Sequence, residues 1–272
     1  SAAGGGGVSS LGNLKPDDGP AWRPIAVRIG LEGTRVTVDG KDVITGPRDS
    51  IFQGAINVVF QLPERDDGIL HLRNLKARPL DTRPLFTGKD LSGWKVFDGD
   101  PKKAASKWTV TPAGELHVSN GPGDLRTDAT FADFVLQLDV KTNGPALNSG
   151  VFFRCVPDQY QNGYEMQIQN AFKDGDRTKP ADFGTGAIYR RVPARKVVSN
   201  DNEWCTMTLI ATGPHVATWV NGYQVVDWTD DRPADENPRK GLRTAAGHLS
   251  LQGHDPTTDI LFRNIRAAEL KK

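Results

Sequence analysis

Short apolar alternations separated by glycine-containing turns run through most of this sequence. Alternate side chains from Phe134 to Val140 are apolar, and Asp39-Gly40 and Asn221-Gly222 each follow a run of the same kind. An Asp-Gly or Asn-Gly pair between two such runs is the strongest short-range signal for a β-hairpin. Because no long stretch has the 3.6-residue periodicity of a capped helix, we predict an all-β protein.

An internal repeat subdivides the chain. The spacing from Trp22 to Asp39-Gly40 equals the spacing from Trp204 to Asn221-Gly222, and each copy is followed later by an Arg-Asn pair. The first copy spans only about 60 residues and corresponds to the closing part of the second. We predict a flexible Gly/Ser-rich tail over 1–15, a partial β module over 16–83, and a complete domain over 84–272.

The partial module cannot bury both faces of a sheet by itself. We therefore expect it to dock on the 84–272 domain or to complete itself in a homo-oligomer through its strand edges. The apolar positions that we expect to make this contact are Val27, Ile29, Val36, Val38, Val58 and Phe60.

Charge and composition exclude several function classes. The chain has 34 Lys and Arg residues against 33 Asp and Glu, a formal net charge of +1, which argues against nucleic acid as the main partner. No apolar run approaches the ~18 residues of a membrane-spanning helix. Two cysteines, Cys155 and Cys205, cannot form a disulfide scaffold, and we expect buried free thiols, with a single bridge as the alternative.

Several strands are predicted to place polar side chains on one common face. Period-two alternation separates apolar Tyr164, Met166 and Ile168 from their polar neighbours. The same rule applied to two further strands gives a polar face of Phe152, Arg154, Glu165, Gln167, Gln169, Ser250, Gln252 and His254. Amides, charged groups and an aromatic ring suit a sugar ligand. A solvated sheet face has the same alternation, so the interpretation depends on convergence of these strands.

A set of motifs follows in order along the second part of the chain. They are Leu85-Phe86-Thr87-Gly88-Lys89-Asp90-Leu91-Ser92-Gly93-Trp94, Asn148-Ser149-Gly150-Val151-Phe152-Phe153-Arg154, Tyr164-Glu165-Met166-Gln167, Gly186-Ala187-Ile188-Tyr189, Leu251-Gln252-Gly253-His254 and Phe262-Arg263-Asn264-Ile265. With these motifs the sequence resembles the 3-keto-disaccharide hydrolase family, also described as 3-keto-glucoside 1,2-lyase and 3-keto-2-hydroxy-glucal hydratase domains. The resemblance covers roughly 84–270 and implies a concanavalin-A-like jelly roll of two antiparallel sheets.

The resemblance implies cleavage of a sugar whose C3 hydroxyl has been oxidised to a ketone. A base removes the C2 proton, the C1 substituent leaves, and water adds to the resulting glycal. It implies His254 or Glu165 as the base and Arg154 as a clamp for the enolate or a hydroxyl. The implied substrate-binding residues are Gln167, Gln169, Gln252, Asn148 and Tyr189. No cofactor is certain, but Glu165 and His254 could together ligate a divalent metal ion. The implied location is the periplasm or the extracellular space.

Two departures from the family pattern limit this transfer. Asn170 stands where relatives often carry Asp, which weakens the case for a metal or a catalytic carboxylate there. The first copy of the repeat has Gln61-Leu62-Pro63 where the second has Gln252-Gly253-His254, so we expect the first copy to lack activity.

Two other function classes fit the same sequence. A non-catalytic carbohydrate-binding module is the main alternative, and a structural repeat protein is the other. Convergence of Glu165, Arg154 and His254 within about 8–10 Å, a span that one sugar ring could bridge, would favour the enzyme.

Overall fold

A computed structural model of the protein describes residues 22–30, 33–46 and 82–270. These residues form sixteen β-strands and two short 3₁₀ turns, Pro101–Lys103 and Ala181–Phe183, so the all-β prediction is confirmed. The chain divides into two compact units, Ser1–Leu75 and Lys76–Lys272. The predicted tail over 1–15, Val58, Phe60, Gln61-Leu62-Pro63 and Arg73-Asn74-Leu75 lie outside the described residues, and the domain limits at 15 and 83 stay predictions.

The described part of the first unit is an antiparallel three-stranded sheet. Its strands are β1 (Ile25–Gly30), β2 (Gly33–Val38) and β3 (Lys41–Gly46), in the order β1-β2-β3. Asp39 and Gly40 join β2 to β3 with φ angles of 52° and 75°. Two consecutive positive φ values define the hairpin turn that an Asp-Gly pair favours. Val36 and Val38 are buried on this sheet.

The second unit contains a sheet of eight strands. Seven of them follow the order β14-β13-β12-β9-β16-β7-β6, and β4 pairs with β16. The strands are β4 (Arg83–Pro84), β6 (Lys107–Val110), β7 (Leu116–Ser119), β9 (Phe134–Thr142), β12 (Cys205–Thr212), β13 (His215–Val220), β14 (Tyr223–Thr229) and β16 (Asp259–Glu269).

A second sheet of five antiparallel strands packs on the first. Its order is β11-β10-β15-β8-β5, and it comprises β5 (Trp94–Val96), β8 (Gly123–Phe131), β10 (Ser149–Cys155), β11 (Tyr164–Ile168) and β15 (Gly247–Gly253). The core between the sheets contains Leu138 and Met207 from the larger sheet and Phe153, Met166 and Leu251 from the smaller one. Alternation therefore places the remaining side chains of the five-stranded sheet on its other face, away from this core.

The repeat seen in the sequence recurs in the hydrogen-bond register. Ile25 lies opposite Val38 in the first unit, and Met207 lies opposite Val220 at the equivalent positions of β12 and β13. The register also shifts at the same place in both copies, after Val36 in the first and after Thr218 in the second. A shared bulge is a specific feature of a strand pair, so the two hairpin sets have one common design.

Both cysteines are buried and unbridged, which confirms the expectation of free thiols. Burial raises the pKa of the Cys155 thiol well above its usual range and that of Cys205 to about 12, so neither is a thiolate at neutral pH. Among the described residues, no helix has the length and apolar character needed to cross a membrane.

Candidate functional site

The face of the five-stranded sheet that points away from the core, called here the site face, carries a row of aligned side chains. Glu165 on β11 lies opposite Phe152 on β10, which in turn lies opposite Ser250 on β15. The row continues to Arg126 on β8, opposite Ser250. A second row includes Gln167 opposite Gly150, and Gln252 opposite Asp124. The predicted grouping of Glu165, Gln167, Ser250, Gln252 and Phe152 on one face is therefore what the strand registers give.

Gly150 makes room for the carboxylate of Glu165. A Cβ atom built at position 150 would lie 2.5 Å from Oε1 of Glu165 and 2.8 Å from its Cγ. Any larger residue would displace the Glu165 side chain, because real Cβ atoms do not approach so closely. The space needed by Glu165 thus explains the glycine at the third position of the Asn148-Ser149-Gly150 motif.

Glu165 is the acidic side chain of a pocket of about 280 Å³ at the β11 edge of the site face. Ligand pockets typically measure ~300–1,000 Å³, so this one suits a group about the size of a single sugar ring. The pocket is lined by Gly163, Tyr164, Glu165, Tyr189, Arg190, Arg191, Pro238 and Arg239. Glu165 and Tyr189, both predicted site residues, therefore share one pocket.

The environment of Glu165 raises the pKa of its carboxyl group to about 7. Burial is the main cause, and the nearby carboxylate of Asp182 adds to it, while Arg239 and Arg190 oppose it. Within the described ranges its carboxylate oxygens accept no hydrogen bond. A carboxyl group that titrates near neutral pH in a pocket is well suited to proton transfer.

Asp182 joins two of the predicted substrate-binding amides. Its Oδ2 accepts hydrogen bonds from Nδ2 of Asn148 at 2.8 Å and from Nε2 of Gln167 at 3.0 Å. The carboxylate sits on a 3₁₀ turn and is exposed, with a left-handed backbone at φ 42°. Asp182 therefore holds the donor ends of both amides and leaves their carbonyl oxygens unused.

Gln161 links Gln252 and Asp124 on the second row by accepting a hydrogen bond from one and donating to the other. The Gln252 amide donates to Oε1 of Gln161 at 3.0 Å, and the main-chain N–H of Gln161 donates to Oδ2 of Asp124 at 3.3 Å. Burial raises the pKa of Asp124 to about 7. Arg239 closes this group, because its guanidinium donates to the carbonyl of Gln161 and lies over the ring of Phe152.

A set of buried polar atoms on the site face or at its edge has no hydrogen-bond partner among the described residues. Most are acceptor oxygens, and buried acceptors without a donor are rare in folded proteins. They are Oδ1 of Asp124, Oδ1 of Asn148, Oε1 of Gln167, Oε1 of Gln252 and the hydroxyl of Ser250. The unused capacity is for groups that donate hydrogen bonds, as sugar hydroxyls and water do.

Arg154 does not lie on the site face, which corrects the expectation from alternation. The register of β10 shifts between Phe152 and Cys155, and Arg154 has a left-handed backbone at φ 51°. Its side chain is 1% exposed. The guanidinium donates to the carbonyls of Ala132, Gly213 and Arg243 and to Oδ1 of Asp133. This bulge turns the residue away, and its donors serve the turns at one end of the sandwich.

His254 lies just beyond the end of β15, where the alternation no longer applies. Its Nδ1 contacts Oδ2 of the neighbouring Asp255 at 2.7 Å, and the ring is 41% exposed. His254 also lies four residues beyond Ser250, which is two strands away from Glu165 on the site face, so Glu165 and His254 do not form one donor set. No group of three or more His, Cys, Asp or Glu side chains suited to a metal ion occurs within residues 22–30, 33–46 and 82–270. The residues present do not fit the metal ion that the resemblance left open, and we derive no step through it.

Gln169 and Asn170 are engaged in structural contacts. The Gln169 amide donates to the carbonyl of Ala146 and accepts from the N–H of Ala171, so both of its ends are used. The Asn170 amide donates to Oδ1 of Asp201 at 3.0 Å, and its oxygen accepts from Thr185 at 2.7 Å. Position 170 thus requires a side chain that both donates and accepts hydrogen bonds, and an ionised Asp carboxylate has no donor.

Sequence reasoning missed Asp182, Arg190, Arg191, Arg239 and Gln161. All five lie in loops or short turns between strands, where periodicity gives no signal. The sequence offered one indication of a site residue among these five: Arg190 directly follows Tyr189, the last residue of the Gly-Ala-Ile-Tyr motif.

Comparison with known families decides what this arrangement belongs to. A family model described as the 3-keto-alpha-glucoside-1,2-lyase-like domain matches residues 81–268. The chain belongs to this family. The lyase-like domain is a carbohydrate-active β-sandwich, and the matched span contains every described residue of the site face.

Solved structures show the same sandwich. A "putative glycosyl hydrolase" from Parabacteroides distasonis is 22% identical, covers 70% of this chain and 94% of its own, and superposes with a TM-score of 0.55. A second protein of that description from the same organism is 27% identical over 71% of this chain and 85% of its own, with a TM-score of 0.52. None of the curated proteins compared with the sequence matches it. The lyase-like domain therefore has the concanavalin-A-like fold that the sequence predicted.

Proposed function

We propose that the lyase-like domain cleaves 3-keto-glycosides by elimination and that Glu165 is the base. One observation carries the proposal: a carboxyl group with a pKa of about 7 lines a pocket of sugar-ring size in a domain of this family. Glu165 was one of two candidate bases in the sequence. We favour it over His254 because Glu165 lines the pocket, whereas the imidazole is paired with Asp255 in a turn.

The first step is removal of the C2 proton by the Glu165 carboxylate. The ketone at C3 acidifies this proton, and the electron pair of the C–H bond passes into an enolate. When the enolate re-forms the ketone, a C1–C2 double bond forms and the bond from C1 to its substituent breaks. The leaving oxygen takes a proton, so the products are an alcohol and a 2-hydroxy-3-keto-glycal. Positioned acid–base groups contribute about 10²–10⁴ to such rates.

Arg239 is the residue that we assign to the developing enolate oxygen. Its guanidinium is exposed at the pocket and exerts the largest favourable charge effect on ionised Glu165. A fixed cation close to both groups stabilises negative charge wherever it forms during the transfer. This replaces Arg154, whose donors are already occupied by protein acceptors.

The unused acceptor oxygens of Gln167 and Asn148 are assigned to sugar hydroxyls. Asp182 fixes the opposite end of each amide, so the oxygens are held in place before a ligand arrives. Groups positioned in advance lose little freedom on binding. Hydration then completes the reaction: water adds its oxygen to C1 and a proton returns to C2, which yields the free 3-keto sugar.

Asp182 also supports a second candidate, direct glycoside hydrolysis by two carboxyl groups. Asp182 lies near enough to Glu165 to raise its pKa, and ordinary glycosidases use such a pair at ~5–9.5 Å. Elimination remains our first choice because Asp182 is already bound by two amide donors.

Turnover of matched substrates tests the proposal. The protein is incubated with a 3-keto-glucoside and with its unoxidised parent, in parallel with Glu165→Gln and, as a control, Glu236→Gln at an exposed position. We expect cleavage of the ketone only, lost in Glu165→Gln and kept in Glu236→Gln. Equal cleavage of the parent would favour the two-carboxylate mechanism. Binding of both sugars without cleavage would indicate the carbohydrate-binding alternative. Location in the periplasm or outside the cell, and pairing in a homo-oligomer, stay predictions.

A further inference from the structure

The pocket around Glu165 has an excess of positive charge. Three arginines, Arg190, Arg191 and Arg239, line it together with a single acidic residue. Among the lining residues, their formal charge of three is opposed by Glu165 alone, whose carboxyl group is close to half-protonated at neutral pH, while Asp230 acts on Arg191 from outside the pocket. Stabilising one enolate oxygen requires one of these cations, so the other two have no assigned task.

None of the three pocket arginines forms an ion pair with a carboxylate in the described part of the chain. Two of the N–H groups of Arg191 donate to the main-chain carbonyls of Arg190 and Arg239. Arg239 donates to the carbonyl of Gln161, and the guanidinium of Arg190 lies over the ring of Tyr189 at 5.2 Å. By contrast, Arg232 close by is paired with Asp230 through two hydrogen bonds. The pocket arginines thus keep their charge available.

Arg190 and Arg191 are the pair that remains for a ligand. Arg190 is exposed and has a left-handed backbone at φ 57°, an uncommon conformation for a long side chain. Burial and the positive charge of Arg232 lower the pKa of Arg191, so this guanidinium is already in a crowded cationic setting. A guanidinium group binds carboxylate and phosphate oxygens through two parallel hydrogen bonds. An anion bound at these side chains would supply the counter-charge that the pocket lining lacks.

We propose that the sugar bound in this pocket carries an anionic substituent, a carboxylate or a phosphate ester, which Arg190 and Arg191 recognise. The proposal rests on the proposed function, since it names the substrate class of the same pocket. Neutral glycosides would leave two guanidinium groups without a counterion, and the domain would bind them more weakly.

Calorimetric titration of matched ligands tests this preference. Methyl glucuronide and methyl glucoside of the same anomer differ only in a carboxylate against a hydroxymethyl group, so this pair tests recognition of a carboxylate. Glucose 6-phosphate tests recognition of a phosphate ester, and inorganic phosphate shows whether the phosphate group binds without a sugar. We expect the glucuronide or the phosphate ester to bind at least about tenfold more tightly than the glucoside at low salt. The advantage should decrease as salt rises.

Arg190→Gln identifies the residue responsible. Because the Arg190 side chain has no hydrogen bond within the described residues, the variant should fold normally and lose most of the anion preference. Arg195→Gln, at another exposed arginine, is the matched control and should keep it. If neither the glucuronide nor glucose 6-phosphate binds more tightly than the glucoside, or if no anionic sugar binds measurably, the proposal is overturned. If inorganic phosphate bound as tightly as glucose 6-phosphate, the claim that the ligand of this pocket is a sugar would be overturned. Turnover of neutral 3-keto-glucosides is measured separately, so failure here is distinguishable from failure of the proposed function.

Discussion

Replacement of Glu165 by Gln should remove activity and raise stability at the same time. The pKa of this carboxyl group rises from its ordinary value of 4.5 to about 7 in the fold. An acid whose pKa is raised by folding holds its proton more tightly in the folded state. Wild-type protein therefore loses stability as pH rises from about 4.5 to about 7, and the loss is complete above that range.

The size of this effect follows from the two pKa values. At about 1.4 kcal/mol per tenfold change in proton affinity, the loss reaches about 3 kcal/mol above pH 8. Glu165→Gln has no proton to lose, so it should be more stable than wild type by roughly this amount at pH 8. For a chain of this size, 3 kcal/mol corresponds to about 6–12 °C in Tm. Below about pH 4 the two proteins should have nearly equal stability, and this supplies the internal control.

Urea denaturation at pH 4 and pH 8, followed by tryptophan fluorescence, measures the difference directly. Asp124, the other carboxyl group with a raised pKa on this face, is present in both proteins and cancels in the comparison. Turnover by the variant should fall at least ~100-fold, as is typical of a lost acid–base group. A stability difference that is the same at both pH values would refute the reasoning, because Glu165 would then not be held in a site that raises its pKa.

Three further substitutions test the surrounding structure. Gly150→Ala should displace the Glu165 carboxylate and lower kcat with little loss of stability, because the clash falls on a flexible side chain. Arg154→Met should cost about 3–5 kcal/mol, since it breaks the buried ion pair with Asp133 and leaves several carbonyls without their donor, while kcat of the folded fraction stays close to wild type. His254→Ala should change kcat far less than ~100-fold and stability by less than about 1 kcal/mol, because its contact is an exposed pair with Asp255.

Controls separate these effects from general disturbance. Gly144→Ala introduces a methyl group at ordinary contact distance from Leu147, 3.4 Å, and should leave activity intact. Arg195→Met replaces an exposed arginine and should not change the melting temperature. A stable but inactive Arg154→Met variant would show that Arg154 acts in the active site. A ~100-fold slower His254→Ala variant would identify the imidazole as the base.

Alternation predicted the β-strands and the shared face of several polar side chains, whereas the two-sheet sandwich was implied by the family resemblance. Alternation with period two is a local rule, and it holds wherever a strand is regular, as it does for Glu165, Gln167, Ser250 and Gln252. Turn chemistry is equally local, so Asn221-Gly222 fixed its hairpin with φ angles of 51° and 80°.

The rest of the site depends on features that alternation does not describe. A bulge at Arg154 reverses the direction of its side chain, and β15 ends at Gly253, one residue before His254. Arg190 and Arg239 reach the pocket from irregular segments, whose course is set by tertiary contacts. Residues on such loops are recognisable only after the strands have been placed in space.

Reaction of a 3-keto-glucoside in heavy water tests the central claim most directly. Abstraction of the C2 proton followed by hydration brings a solvent deuteron to C2, whereas direct hydrolysis leaves the original C–H bond intact. We predict that the 3-keto sugar released by the wild-type protein carries deuterium at C2 in NMR spectra, above the level in a sample without protein. We also predict that Glu165→Gln releases this sugar at least ~100-fold more slowly. Release of 3-keto sugar with an undeuterated C2 would contradict the account.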